Sequence, residues 1–405
     1  MAWELDLGEE RSRRDVAIVF GLLTLFAVLV GVTVLGIVLN WPAHRTVSVG
    51  SQFHNPKTYG ASVVGLQAVR CQAPQARNCT VVTVKISGGP DKGGRTSFRF
   101  GDTGSDAHLE LGDKVFVYKN PLPPTAQLGG VKVPPYSFSD FQRKGPLLWL
   151  LAVFAVVVLA AGRFHGLRAL VGLTVSLATV VFFIVPAITD GRPPLQVAAF
   201  GALGVMLATI PLVHGGGAKS LAACLGTALA LLLTLGLANA FTSLAHLSGL
   251  STDEAVFLQS TTHVSIRGLL LAGMVVGALG VLGDTTVTQA SIVMTLRRAR
   301  PDLGWRGLVA HATGVGRDHI AATVNTLVLA YTGAALPILI VFSIGGTSFG
   351  SAVNSEAVAE PIVATLVGSI GLIVAVPVTT ALAALLALHL PERTLRAEHA
   401  HAHAH

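Results

Sequence analysis

The stretch Gly268-Leu269-Leu270-Leu271-Ala272-Gly273-Met274-Val275-Val276-Gly277-Ala278-Leu279-Gly280-Val281-Leu282 carries no polar side chain, and Gly283-Asp284-Thr285-Thr286-Val287-Thr288-Gln289-Ala290-Ser291 follows it directly. Apolar residues then resume up to Thr295. The run is long enough to be read as a membrane-crossing helix, and Asp284 sits inside it. A carboxylate at that depth is costly, so it either pairs or takes up a proton. Asp284 is therefore the first clue to function, pointing to something moved across a membrane. The alternative is a buried acid that holds two helices together.

Working outward, similar runs recur along the 405 residues, at about 16–39, 146–162, 167–188, 195–213, 220–241, 266–294, 319–345 and 358–388. The chain is 52% hydrophobic and only 12% charged, where soluble domains carry about 25% charged residues. The net charge of +7 comes from loops. Arg163 and Arg168, Lys219, Arg297-Arg298-Ala299-Arg300 with Arg306 and Arg317, and Arg393 with Arg396 fall on one side. Asp190-Gly191-Arg192, Asp253-Glu254, and Glu356 with Glu360 fall on the other. Basic loops stay in the cytoplasm, so both termini are expected there, in a bacterial plasma membrane. The same explanation removes any need for nucleic acid. Within 242–265, Ser251-Thr252-Asp253-Glu254 is a capping-box pattern and predicts a short surface helix.

Residues 41–144 are different. Runs such as Cys79-Thr80-Val81-Val82-Thr83-Val84-Lys85-Ile86 and Lys114-Val115-Phe116-Val117-Tyr118 alternate like strands. Gly88 to Gly94 reads as a turn, and Leu109 to Val115 as a hairpin turning at Gly112-Asp113. The expected fold is an all-α polytopic membrane bundle of about eight helices, with a small extracytoplasmic β-barrel or sandwich after the first helix. The divisions are 1–40 (N-terminus and first helix), 41–144 (β domain), 145–390 (seven-helix domain) and 391–405 (tail). Cys71 and Cys79 are close enough to bridge in an oxidising compartment, whereas Cys224, in an apolar run, reads as packing.

The polar group Asp284, Thr285, Thr288 and Gln289 has a partner region after the basic loop. There Asp318, Ala322 and Asn325-Thr326 follow helical spacing, with His319 beside Asp318. Asn325 and Thr326 are candidates to hydrogen-bond Asp284. Asp318 reads either as a first-turn residue complementing the helix dipole or as part of a cytoplasmic mouth. His319 reads as a proton relay or as an interfacial residue. His399, His401, His403 and His405 form an alternating tail, either a weak metal site or neutral. His214-Gly215-Gly216-Gly217-Ala218-Lys219-Ser220 lacks both the spacing and the strand of a phosphate loop. With no catalytic triad, H-E-x-x-H or Walker pair, an enzyme is not expected, nor a cofactor.

Gly268 to Gly273, Gly277 to Gly280, Asp284 and Val287 to Ser291, followed by Gly316-Arg317-Asp318-His319-Ile320-Ala321 and Thr323 to Tyr331, resemble the YibE/F family of bacterial membrane proteins. That resemblance covers about 145–390 and implies a helical membrane fold, with no reaction attached. A weaker likeness is to the resistance-nodulation-division exporters and their SecD/SecF relatives. In them an intramembrane Asp is followed by a basic loop and a Thr-rich return helix, an order that Asp284, Arg297-Arg298 and Thr323-x-x-Thr326 imitate. The function expected is proton-coupled secondary transport of a small solute or ion. The alternative is a membrane scaffold that presents its β domain to an external protein or to a second copy of itself. Membrane lipid is a partner in either case.

Overall fold

The computed structural model describes residues 13–43, 57–70, 79–100, 108–121, 127–128 and 131–389. The chain forms two compact units, one spanning Gly50–Val157 and the other made of Met1–Val49 with Val158–His405. Cys71 and the four tail histidines lie outside the described residues.

In the first unit, β1 (Thr58–Val69), β2 (Cys79–Ile86), β3 (Arg95–Phe100), β4 (Lys114–Lys119) and β7 (Tyr136–Phe141) form an antiparallel sheet in the order β3-β2-β1-β4-β7. A small pair, β5 (Gln127–Leu128) and β6 (Val131–Lys132), stands apart from it. Alternate side chains Val82, Val84 and Ile86, with Val115 and Val117, are buried on one face, as period-two patterning requires. The sheet curls, because its two edges meet through Phe100 and Phe138, whose rings lie 5.1 Å apart edge to face. Asp91 in the β2–β3 turn ties the far edge, accepting from Lys119 Nζ at 3.0 Å and from the Tyr136 hydroxyl at 2.5 Å. Burial first, and the bond to Asp91 second, push the Tyr136 phenol up to about 12.

The Gly88–Gly94 turn forms, with Gly89 and Gly93 at φ 85° and 89°. The Gly112-Asp113 hairpin does not. Gly112 turns at φ 94°, but the chain leaving it enters β4, whose neighbours are β1 and β7. The turn is instead held by the Asp113 carboxylate on the Glu110 amide at 2.8 Å and by paired bonds to Val63. Sequence proximity alone suggested a local hairpin, where long-range pairing with β1 prevails.

The helices are α1 (Arg13–Leu39), α2 (Lys144–Thr179), α3 (Val185–Thr189, joined to α2 by the π-helical turn Val180–Ile184), α4 (Pro194–His214), α5 (Ala218–Leu244), α6 (Asp253–Thr261), α7 (Ile266–Ala299), α8 (Trp305–Ile344), α9 (Phe349–Asn354) and α10 (Glu356–His389). Among the described residues, seven continuous helical stretches are long and apolar enough to cross a membrane. One of them, Lys144–Thr189, has 46 residues and covers two of the eight spans expected from sequence. It is not straight. Arg163 breaks it at φ 48°, ψ −123°, and a methyl added to Gly166 would strike the Val158 carbonyl. In a straight helix those residues would be roughly 12 Å apart, so the chain turns back at Arg163.

α5, α7 and α10 form the centre of the second unit, with Cys224, Val275, Leu282, Leu372 and Ala375 fully buried. α5 and α10 cross through reciprocal notches. Thr379 fills the space above Gly226, and Thr234 fills the space above Gly371. α6 forms as expected, with Thr252 as its cap, accepting from the Ala255 amide at 3.3 Å. α8 departs from the expected 319–345, beginning at Trp305 and taking in Arg306 and Arg317. The reason is burial of Leu308, Ala312 and Gly316, four residues apart on one helix face.

Candidate functional site

α7 presents two chemically different faces. With about 100° of rotation per residue, Thr285, Thr286 and Gln289 point into the bundle while Asp284 and Thr288 point away. Thr285, Thr286 and Gln289 are all at most 2% exposed. The Gln289 amide donates to the Ala312 carbonyl at 2.8 Å and to the Thr380 hydroxyl at 2.7 Å, tying α7 to α8 and α10. Gly316 leaves the space that the Gln289 side chain occupies. Thr286 meets Thr227 of α5 at 2.6 Å. Every donor named here has an acceptor, and the bonds tie α7 to α5, α8 and α10.

The outer face carries Gly273, Gly277, Gly280, Asp284, Thr288 and Ser291 at spacings of three and four. Gly273, Gly277, Gly280 and Asp284 are exposed. Space above Gly273, Gly280 and Gly283 is open, and above Gly277 it is bounded by the Tyr331 hydroxyl of α8. The stripe is thus an open, glycine-lined face of α7, with Tyr331 of α8 beside it at Gly277. Asp284 forms no hydrogen bond or ion pair among the described residues.

The α8 candidates are arranged differently from the sequence expectation. Asp318 lies more than three turns inside α8 and is not a first-turn residue, so the dipole reading does not apply. Asp318 and Asn325 are exposed on a face turned roughly 120–140° from Tyr331, the residue that approaches α7. No hydrogen bond joins Asn325 or Thr326 to Asp284, and the Thr326 hydroxyl donates to the Ala322 carbonyl at 3.0 Å. His319 is half-buried, with Nε2 enclosed and lacking a hydrogen-bond partner among the described residues.

The α4–α5 junction supplies a group that the sequence reading did not place at the site. His214, closing α4, is within electrostatic reach of Asp284, Lys219 and His165. The Gly215–Gly217 turn makes this approach, with Gly215 at φ 83° and Gly217 at φ 159°. The available signal was a His and a Lys bracketing a glycine run at a span boundary. No cluster of metal-ligating side chains occurs among the described residues.

Neither a curated protein nor a solved structure matches the chain. A family model described as YibE/F-like protein matches residues 150–389, which takes in every helix from most of α2 to α10 and both faces of α7. The chain belongs to the YibE/F-like family.

Proposed function

We propose that this chain is a membrane-embedded secondary transporter or exporter coupled to protons, with Asp284 as the group that carries the proton. The observation that carries the reading is the placement of Asp284, exposed and without a bonded partner among the described residues, on the open, glycine-lined face of a long apolar helix. An acid that serves to hold helices together would be buried and bonded, as Gln289 is. An ionised carboxylate facing lipid at the middle of a span costs roughly 2.5–3.5 kcal/mol. Access to water, or a proton, removes that cost, and a carrier alternates between the two. Thr288, one turn along the same face, lines the approach, and His214 with Lys219 supplies polar groups towards the nearer end of the bundle.

The membrane reading has support from parity. Asp15, at the start of α1, pairs with His389, at the end of α10, at 3.4 Å. The two helix ends therefore lie at one end of the bundle, which requires an even number of crossings. Counting the helical stretch reversed at Arg163 as two crossings gives eight, whereas seven would separate them. With the basic loops inside, both termini are cytoplasmic and the β unit is outside, in a bacterial plasma membrane.

The test is labelling in sealed cells with a membrane-impermeant thiol reagent, in a Cys224→Ala background. Ser105→Cys should react from outside, and Ala397→Cys only after permeabilisation. Thr288→Cys should react in the aqueous phase, while Leu329→Cys, at an exposed apolar position of α8, should not. Thr288→Cys as inert as Leu329→Cys would leave Asp284 without a water path and overturn the transport reading.

A further inference from the structure

The outward face of the β unit carries charge of one sign. Ser62 of β1 is the register partner of Lys85 of β2 on one side and of Lys114 of β4 on the other, and Lys85 is in turn the partner of Arg95 of β3. Buried Val84 and Ile86 flank Lys85, and buried Val115 follows Lys114. Period-two alternation therefore turns the row outward, where Lys85, Arg95 and Lys114 are exposed. With strands about 4.8 Å apart, the row spans roughly 14 Å across the sheet. β1, β2 and β3 contain neither Asp nor Glu. Of the nearby acids, Asp91 pairs with Lys119, Asp140 with Arg143, and Asp113 accepts from the Glu110 amide. Like charges directly opposite one another on neighbouring strands destabilise a sheet, so folding alone does not favour Lys85 beside Arg95.

The next row along is neutral. There the Thr83 and Ser97 hydroxyls meet at 2.9 Å, and Gly65, the partner of Thr83, adds no side chain. One proton lies between the two oxygens, which leaves a second proton and further lone pairs for an outside partner. Beyond that row come Gln67 of β1 and Arg99 of β3, both exposed, with one Arg99 nitrogen donating to the Arg70 carbonyl at 2.7 Å. The rings of Tyr59, Phe98 and Phe100 pack into the core of the unit, so these strands turn no aromatic ring outward.

We infer that this face binds an anionic polysaccharide. Its acid groups rest on the Arg95–Lys85–Lys114 row, and its sugar hydroxyls bond Thr83, Ser97 and Gln67. An anion set between Lys85 and Arg95 turns their repulsion into attraction for both. A cationic row beside a hydroxyl row complements a polymer in which acid groups alternate with hydroxylated carbon. Single-stranded nucleic acid is bound by stacking its bases on aromatic side chains, and this face has none. The inference rests on the charges of the face itself and is independent of transport by the helices.

The experiment uses the full-length chain in phosphatidylcholine nanodiscs and follows the fluorescence anisotropy of a labelled polygalacturonate oligomer. Wild type should bind it, more weakly as salt rises, and should not bind a neutral dextran oligomer. Unlabelled oligothymidylate and phosphatidylglycerol vesicles should compete poorly. Lys85→Gln together with Arg95→Gln should weaken binding roughly tenfold or more, through loss of two charge-assisted contacts. Those changes also remove a like-charge contact, so the thermal midpoint should not fall, which separates lost binding from lost folding. Lys85→Gln alone should weaken binding in the same direction and serves should the double variant fail to fold. Lys85→Arg should bind as wild type does, and so should Lys57→Gln, which removes an exposed charge five residues before Ser62. Thr83→Val should weaken the polygalacturonate complex. Absence of wild-type binding, equal binding of dextran, tighter binding of oligothymidylate or phosphatidylglycerol, or unchanged binding by the Lys85 and Arg95 variants would each overturn the proposal.

Discussion

Asp284 and Gln289 are five residues apart on α7 and face roughly 140° apart, one towards open space and the other into packed helices. That rotation separates the residue proposed to carry a proton from the residue that ties α7 to α8 and α10. The glycines divide in the same way. Gly273 and Gly280 meet nothing within 4 Å and leave that face open, whereas Gly226 and Gly371 receive threonines from the facing helix. Valine at Gly226 would drive its side chain into Thr379 and is expected to destabilise the bundle by roughly 1–3 kcal/mol, the range for overpacked cores. Valine at Gly280 should be nearly neutral. Thermal unfolding of the two variants in detergent checks the contrast, and equal midpoints would remove the claim that the α5–α10 crossing depends on those notches.

At the scale of elements, the capped α6 and the Gly88–Gly94 turn were legible because local chemistry specifies them: a side-chain cap in one case and positive φ in the other. The start of α8 was not. Arg306 and Arg317 read as a basic loop, and only the buried Leu308, Ala312 and Gly316 beneath them extend the helix. Nor could spacing reveal which way α8 turns Asp318 and Asn325, since that depends on where α10 and α7 lie. In the sheet, Val69 is the register partner of Cys79, two residues before Cys71. Cys71 lies outside the described residues, and a Cys71–Cys79 disulfide, expected from the sequence, would be worth roughly 2–3 kcal/mol for so short a loop. Mass mapping of the unreduced protein should find the linked peptide, and two free thiols there would dispose of it.

For the whole molecule, composition was enough to indicate long apolar helices with a strand-rich insert after the first, because both patterns are periodic and repeat over many residues. The inner polar group was only half legible. Gln289 stood out beside Asp284, but Thr380 and Ala312, which it bonds, lie far along the chain in helices that read as ordinary apolar spans. His214 was visible as a residue and invisible as a neighbour of Asp284, because the packing of α4 along α7 brings it within electrostatic reach. The central claim concerns what Asp284 does once that packing exists. The most direct measurement is solute-gradient-driven proton movement in proteoliposomes loaded with a pH-sensitive dye, wild type against Asp284→Asn, across a panel of small ions and solutes. The amide mimics the neutral acid and strands no bonded partner, so the variant should unfold within about 0.5 kcal/mol of wild type. It should nevertheless show none of the proton movement that wild type shows with its substrate. A variant that moves protons as wild type does, or one that fails to fold, would contradict Asp284 as the proton carrier.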